Sequence, residues 1–112
     1  SIEEIALCYK ALDLYLVTSR EEGGPKGIIE SMSSGVPIVS TNVGMARDLI
    51  KNKKIGILVN SFKPEIIFNN IIEYINNKFK LDLKEMRKSV KKTDWEQVAS
   101  EHLYKIYNHL KK

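Results

Sequence analysis

Short apolar runs alternate with segments of helical periodicity along this chain. The runs are LYLVTS (14–19), VPIVST (36–41) and IGILVN (55–60), and each is typical of a buried strand. Strands that alternate with helices usually pair in parallel, because the intervening helix returns the chain to the same edge of the sheet. We therefore expect an α/β fold with an open parallel sheet of about three strands, flanked by helices.

The helical segments lie before, between and after these runs. The periodicity predicts helices over 2–11, 25–34, 44–52, 64–77, 83–92 and 94–111. The first helix lacks a strong N-cap, and Ile5, Leu7 and Leu12 lie on its apolar side. The single cysteine, Cys8, lies on the same side, so we expect a small buried side chain rather than a reactive thiol. A complete doubly wound domain has about five or six strands, so the pattern corresponds to a partial Rossmann-like domain.

Composition and charge restrict the class of protein. With 112 residues, 43% hydrophobic and 29% charged, the chain is suited to one small globular domain. No signal peptide is visible, and we expect a cytoplasmic protein. The net charge is +4, and many basic residues fall in the last third of the chain, namely Lys78, Lys80, Lys84, Arg87, Lys88, Lys91 and Lys92. Such a cluster is either a solvated helix face or a contact with an anionic membrane surface. In the second case the protein would be a peripheral protein at the inner face of the membrane.

A nucleic-acid partner is not expected. Aromatic residues do not interleave with the basic residues, and neither a zinc-ligand spacing nor an RNP-like strand is present.

The segment REEGGPKGIIE (20–30) follows the first predicted strand. In open α/β sheets, ligands bind beyond the carboxyl ends of the strands, beside the helix N-termini. Gly23 and Gly24 allow the backbone to approach a ligand closely, and Pro25 suits the first position of a helix. The free N–H groups of the helix start attract anions, and Lys26 adds a positive charge. We therefore predict a phosphate site at this helix start.

Two carboxylates flank this helix start, Glu22 before it and Glu30 within it. Each carboxylate can accept hydrogen bonds from the vicinal hydroxyls of a ribose or a hexose. A structural role is the alternative for both residues. Glu22 would then favour the helix N-terminus, and Glu30 would pair with Lys26 at i,i+4. The spacing by itself leaves both readings open.

The segment DLYLVTSREEGGPKGIIESMSSGVPIVSTNVGMARDLI (13–50) resembles the nucleotide-sugar-binding segment of GT-B glycosyltransferases of the large retaining family four, the glycosyl transferases group 1. The positions that match the family's motif are Ser19, Glu22, Gly23, Glu30, Met32, Gly35, Pro37, Val39, Gly44 and Asp48. The resemblance continues through IGILVN and through DWEQVASEHLYKIY (94–107), which is similar to the family's terminal helix. It therefore covers almost the whole chain.

Several positions depart from the family's pattern. Gly24 and Pro25 stand where Phe and Gly are usual, and Thr18 stands where Pro is usual. In the later loop, Met45 replaces a Gly. Asp48 matches the acidic position of the motif but is Asp where the family has Glu. Because Pro25 has no N–H, any hydrogen-bond donor at that position is absent.

The resemblance implies a role for each matching residue. Glu22 would face the donor hexose as the catalytic carboxylate, and Glu30 would bind the ribose hydroxyls of the donor nucleotide. The residues that it assigns to donor binding are Gly23, Gly24, Lys26, Gly27, Glu30, Thr41, Asn42 and Gly44. The family transfers a sugar from a nucleotide diphosphate to an acceptor such as a glycan or a lipid-linked sugar, and it needs no bound metal or other cofactor.

The resemblance also implies a place for the chain in its parent protein. Residues 1–112 would form the C-terminal half of the nucleotide-sugar-binding domain, ending in terminal helices over about 83–111. The acceptor-binding N-terminal domain and the basic residues that neutralise the diphosphate would lie outside this chain. We therefore expect the chain alone to be inactive. The alternative is a non-enzymatic α/β module that binds a mononucleotide or phosphate and carries a basic helical tail for interaction.

Overall fold

The computed structural model describes residues 1–22, 26–77 and 81–110. In chain order, the elements are α1 (Ile2–Lys10), β1 (Tyr15–Val17), α2 (Lys26–Ser33), β2 (Ile38–Thr41), α3 (Ala46–Leu49), β3 (Ile57–Val59), α4 (Pro64–Asn77), α5 (Leu83–Lys91) and α6 (Trp95–Leu110). This order confirms the predicted α/β class. The strands are shorter than the apolar runs that predicted them, because only the paired residues of each run enter the sheet.

The three strands form one parallel sheet in the order β1-β2-β3. Tyr15 is paired with Ile38, and Val39 is paired with Ile57. Successive side chains of β2 point to opposite faces of the sheet, so both faces need a covering layer. Helices supply that layer on both sides, as in other parallel sheets. The predicted three-stranded sheet flanked by helices is therefore confirmed.

The hydrophobic core has one cluster on each face of the sheet. The larger cluster joins β2 to α2, α3 and α5, and its buried members are Ile28, Met32, Ile38, Ala46, Leu49, Ile50, Ile55, Met86 and Val90. The smaller cluster packs α4 on the other face and contains Val39, Ile57, Val59 and Ile67. Ile28 and Met32 of α2 are fully buried, so this helix is fixed to the sheet immediately behind the predicted site.

The start of α1 differs from the prediction. The N–H of Glu4 donates to Ser1 Oγ at 3.2 Å, and the Ser1 amino group lies 3.0 Å from Glu4 Oε2. This is a capping box, so the prediction that the helix lacks a strong N-cap was wrong. The Ser-x-x-Glu pattern of residues 1–4 is the sequence signature of that cap.

The outer side of α1 is also more exposed than the sequence predicted. Cys8 is exposed, and Leu7 retains 64% of its accessible surface. The prediction of a buried Cys8 was therefore wrong. The reason is that α1 packs against α2 along the side that carries Tyr9. Hydrophobic periodicity identifies an apolar side of a helix but not the element that covers it.

The predicted terminal helices are present as α5 and α6. Met86 and Val90 attach α5 to the core beside α2. α6 exposes apolar side chains at helical spacing, including Leu103, Ile106 and Leu110. Within the described residues, no helix combines the length and the apolar character needed to cross a membrane. Lys78 and Lys80 of the predicted basic cluster and the predicted helix end at residue 111 lie outside the described residues.

Candidate functional site

The predicted site lies between the carboxyl end of β1 and the start of α2. β1 ends at Val17 and α2 begins at Lys26, whose side chain is exposed. A cavity of about 210 Å³ opens here, and Ser19, Glu22 and Gly27 contribute to its lining. The predicted donor-binding residues Gly23 and Gly24, with Pro25, lie outside the described residues. The described part of the site therefore consists of the two flanks of this loop.

Glu22 is held by its own loop. Ser19 Oγ donates a hydrogen bond to Glu22 Oε1 at 2.7 Å, although Glu22 itself is exposed. The Ser19 carbonyl in turn accepts a 2.7 Å hydrogen bond from Thr41 Oγ1. Thr41 is only 1% exposed, so its hydroxyl supports the end of β1 instead of facing solvent. The carboxylate of Glu22 therefore lines the cavity from a loop that is held by the hydrogen bonds of Ser19 and Thr41.

Glu30 lies on the exposed side of α2, whereas Ile28 and Met32 of the same helix are buried. Its Oε2 accepts a 2.8 Å hydrogen bond from Tyr9 Oη of α1. In the described part of the chain, the ion pairs join the Ser1 amino group to Glu4 and Lys53 to Glu73. The alternative reading of Glu30, an i,i+4 ion pair with Lys26, is therefore not seen. Instead, a tyrosine from another helix holds this carboxylate.

Two tyrosines lie beside the start of α2. The rings of Tyr9 and Tyr15 pack in a tilted arrangement, with centroids 5.5 Å apart and planes at 53°. A Cβ atom placed on Gly27 would overlap Tyr15 Oη and lie 2.9 Å from Tyr15 Cζ. Glycine at this position therefore lets the tyrosine ring lie against the first turn of α2.

The hydroxyl of Tyr9 acts as a hydrogen-bond donor. Burial raises the pKa of Tyr9 above its ordinary value, and the hydrogen bond to Glu30 raises this pKa further. The phenol is therefore protonated at neutral pH and can donate to the carboxylate of Glu30.

The loop after β2 lies at the same edge of the sheet as Glu22, because the strands are parallel. Asn42 Nδ2 donates to Asn60 Oδ1 at 3.0 Å, which ties the carboxyl ends of β2 and β3 together. Gly44 has a φ of 51°, in the left-handed region that favours glycine. Asn42 and Gly44 thus belong to a structured turn at the same edge of the sheet as Glu22.

Tyr9 and Tyr15 were absent from the sequence-based set of site residues. Tyr9 precedes Glu30 by 21 residues and belongs to a different helix, so neither spacing nor periodicity connects them. Only the packing of α1 on α2 places the hydroxyl beside the carboxylate. Within the described residues, no group of three or more His, Cys, Asp and Glu side chains is arranged to hold a metal ion.

The described geometry favours binding of a polyhydroxylated anion. The first turn of α2 has N–H groups and Lys26, which can bind a negatively charged group. The carboxylates of Glu22 and Glu30 can accept hydrogen bonds from hydroxyl groups. Glu22 and Gly27 line the cavity of about 210 Å³, whereas Glu30 lines a separate groove between α1 and α2.

Comparison with known proteins relates the chain to glycosyltransferases. The family model for glycosyl transferases group 1 matches residues 1–94. Two uncharacterized glycosyltransferases of Methanocaldococcus jannaschii are 27% and 32% identical to the chain, covering 98% and 88% of it. The chain spans 32% and 26% of the length of these relatives.

A solved structure has the same fold. Sucrose-phosphate synthase from Thermosynechococcus elongatus superposes with a TM-score of 0.76 at 24% identity, covering 96% of this chain and 28% of that protein. This likeness confirms the Rossmann-like GT-B fold expected from the motif. With the family match over most of its length, the chain belongs to the glycosyl transferases group 1 family.

Proposed function

We propose that this chain is the nucleotide-sugar-binding part of a retaining glycosyltransferase. The parent protein transfers a sugar, most simply a hexose, from a nucleotide diphosphate donor to a glycan or lipid-linked acceptor, as in polysaccharide biosynthesis. Membership in the glycosyl transferases group 1 family supports sugar transfer in general. The choice of donor rests on the site described above.

The observation that carries the proposal is a pair of hydrogen-bonded carboxylates, one just before α2 and one within it. Ser19 holds Glu22 on the loop side, and Tyr9 holds Glu30 on the helix side. A ribose bound at Glu30 and a diphosphate at the start of α2 would bring the donor sugar toward Glu22. This order of groups matches the order of parts in a nucleotide sugar.

The chemistry follows from this placement. The bond between the anomeric carbon and the diphosphate oxygen breaks, the acceptor hydroxyl oxygen bonds to the anomeric carbon, and the hydroxyl proton passes to the leaving diphosphate. Positive charge develops on the sugar ring while negative charge develops on the leaving diphosphate. The carboxylate of Glu22 stabilises the sugar, and the N–H groups at the start of α2, with Lys26, stabilise the diphosphate.

We further propose that residues 1–112 are the C-terminal half of the donor domain, ending in α5 and α6. The chain spans only 32% and 26% of the length of the two relatives, which supports its being one part of a longer protein. Acceptor binding and the remaining positive charge for the diphosphate would then come from other parts of the parent protein. On this account, the chain alone does not transfer sugar.

The proposal is tested with the full-length protein. Calorimetric titration with nucleoside diphosphates is expected to give one binding site, with weaker binding of the free nucleosides because the diphosphate contacts are lost. A panel of nucleotide sugars is then assayed for release of the nucleoside diphosphate in the presence of candidate acceptors. Release that depends on both donor and acceptor supports the transferase. Binding without any release favours a non-enzymatic nucleotide-binding module.

The exposed side of α5 supports a cytoplasmic location at an anionic membrane surface. Lys84, Arg87, Lys88 and Lys91 recur at i, i+3, i+4 and i+7, and all are exposed. Near such a surface, each basic residue contributes about 1 kcal/mol.

We therefore expect Lys88→Gln to reduce binding to vesicles of anionic lipid about fivefold. Co-sedimentation with vesicles of rising phosphatidylserine content measures this effect. Lys63→Gln serves as the control, because Lys63 is an exposed lysine immediately before α4. Sedimentation that is independent of anionic lipid would mean that this face is only solvated.

A further inference from the structure

We propose that Tyr9 is a positioning residue for Glu30, which it orients toward the ribose hydroxyls of the donor nucleotide. The inference rests on the proposed nucleotide-sugar site and adds a residue from α1 to it. Tyr9 Oη donates to Glu30 Oε2 at 2.8 Å. A side chain outside the motif therefore fixes the orientation of a carboxylate within it.

The hydrogen bond has a direct consequence for the carboxylate. Glu30 is exposed, and a free glutamate on a helix surface samples many rotamers. The bond to Tyr9 occupies one oxygen and leaves Oε1 available for a ligand. A side chain that is already ordered loses less conformational entropy on binding, so the ligand binds more tightly.

Tyr9 is itself held in place by the site. Its ring packs against Tyr15, and Tyr15 lies against Gly27 in the first turn of α2. The hydroxyl of Tyr9 is thereby fixed relative to both the helix start and Glu30. Tyr9 and Glu30 also line one groove between α1 and α2, with a volume of about 260 Å³. α1 therefore packs beside Glu30 and forms one wall of this groove.

The bond between Tyr9 and Glu30 also explains why position 9 is occupied by tyrosine. Phenylalanine at position 9 would retain the ring contact with Tyr15 but lose the donor to Glu30. A tyrosine phenol is protonated at neutral pH, and burial raises the pKa of Tyr9 further, so the hydroxyl can donate to Glu30. Tyrosine therefore supplies both the packing surface and the hydrogen bond.

The test uses Tyr9→Phe in the full-length protein. We expect the KM for the nucleotide sugar and the Kd for the nucleoside diphosphate to rise roughly 3- to 10-fold, as for loss of one hydrogen bond. We expect kcat and the melting temperature to change little, because the ring contact with Tyr15 is retained. Tyr74→Phe removes a half-buried hydroxyl on the other face of the sheet and serves as the matched control.

A double-mutant cycle shows whether Tyr9 acts through Glu30. In a Glu30→Ala background, Tyr9→Phe is expected to have no further effect on the Kd, because the carboxylate that it orients is gone. An equal loss in both backgrounds would overturn the inference and make Tyr9 a structural residue. An unchanged KM in Tyr9→Phe would also overturn it.

The same cycle separates this inference from the proposed function. If Glu30→Ala weakens nucleotide binding and Tyr9→Phe does not, only the role of Tyr9 is wrong. If Glu30→Ala leaves nucleotide binding unchanged, the site assignment is wrong, and the inference that depends on it is wrong as well.

Discussion

Replacing Glu22 with glutamine is expected to lower kcat for sugar transfer by roughly 100- to 1,000-fold, the range found when one preorganised electrostatic group is removed from an active site. Glutamine keeps the size of the side chain and can still accept the 2.7 Å hydrogen bond from Ser19 Oγ. It lacks the negative charge that would stabilise the developing positive charge on the donor sugar. Because Glu22 is exposed, the melting temperature is expected to stay within about 1–2 °C of the wild-type value.

The measurement is steady-state kinetics of the full-length protein with its preferred donor. Glu21→Gln is the matched control, because Glu21 is an exposed neighbour in the same loop. It is expected to retain most of the activity. If Glu21→Gln and Glu22→Gln lower kcat equally, the effect belongs to the charge of the loop, and Glu22 has no catalytic role.

Replacing Glu30 with glutamine is expected to weaken nucleoside diphosphate binding by roughly 10- to 100-fold, or about 1.5–3 kcal/mol. The physical reason is the loss of a charged acceptor for two ribose hydroxyls. Stability is expected to change by less than about 0.5 kcal/mol, because Glu30 is exposed and glutamine can still accept the bond from Tyr9.

Calorimetry and a thermal melt of the same preparations measure the two effects of Glu30→Gln. Glu65→Gln, an exposed carboxylate in the first turn of α4, serves as the control. Unchanged affinity together with a lower melting temperature would make Glu30 a structural residue of α2.

The sequence predicted the order of the elements because each element leaves a local pattern. The run at 36–41 and the spacing of Ile28 and Met32 follow from the periods of strand and helix, which any packing must satisfy. The exposure of Glu30 follows from the same spacing. These features are properties of neighbouring residues and need no knowledge of the tertiary fold.

Features that depend on which surfaces meet were not predictable in this way. Cys8 lies on an apolar side of α1, but the helix packs through the side that carries Tyr9. The hydroxyl of Thr41 donates a hydrogen bond to the carbonyl of Ser19. The two groups are close only because β1 pairs with β2. The bond between Tyr9 and Glu30 likewise requires the crossing of two helices. Sequence patterns predicted the two carboxylates, and tertiary packing determined which groups hydrogen-bond to them.

The most direct test of the nucleotide-sugar site is a crystal structure of the full-length protein with a bound nucleoside diphosphate. The account predicts that the ribose hydroxyls lie within about 2.5–3.0 Å of the Glu30 carboxylate, as expected for hydrogen bonds between hydroxyl and carboxylate oxygens. It also predicts that the diphosphate lies at the start of α2, beside Lys26, with its terminal phosphate directed toward Glu22. A nucleotide bound away from α2, or bound there with no contact between its ribose and Glu30, would contradict the account.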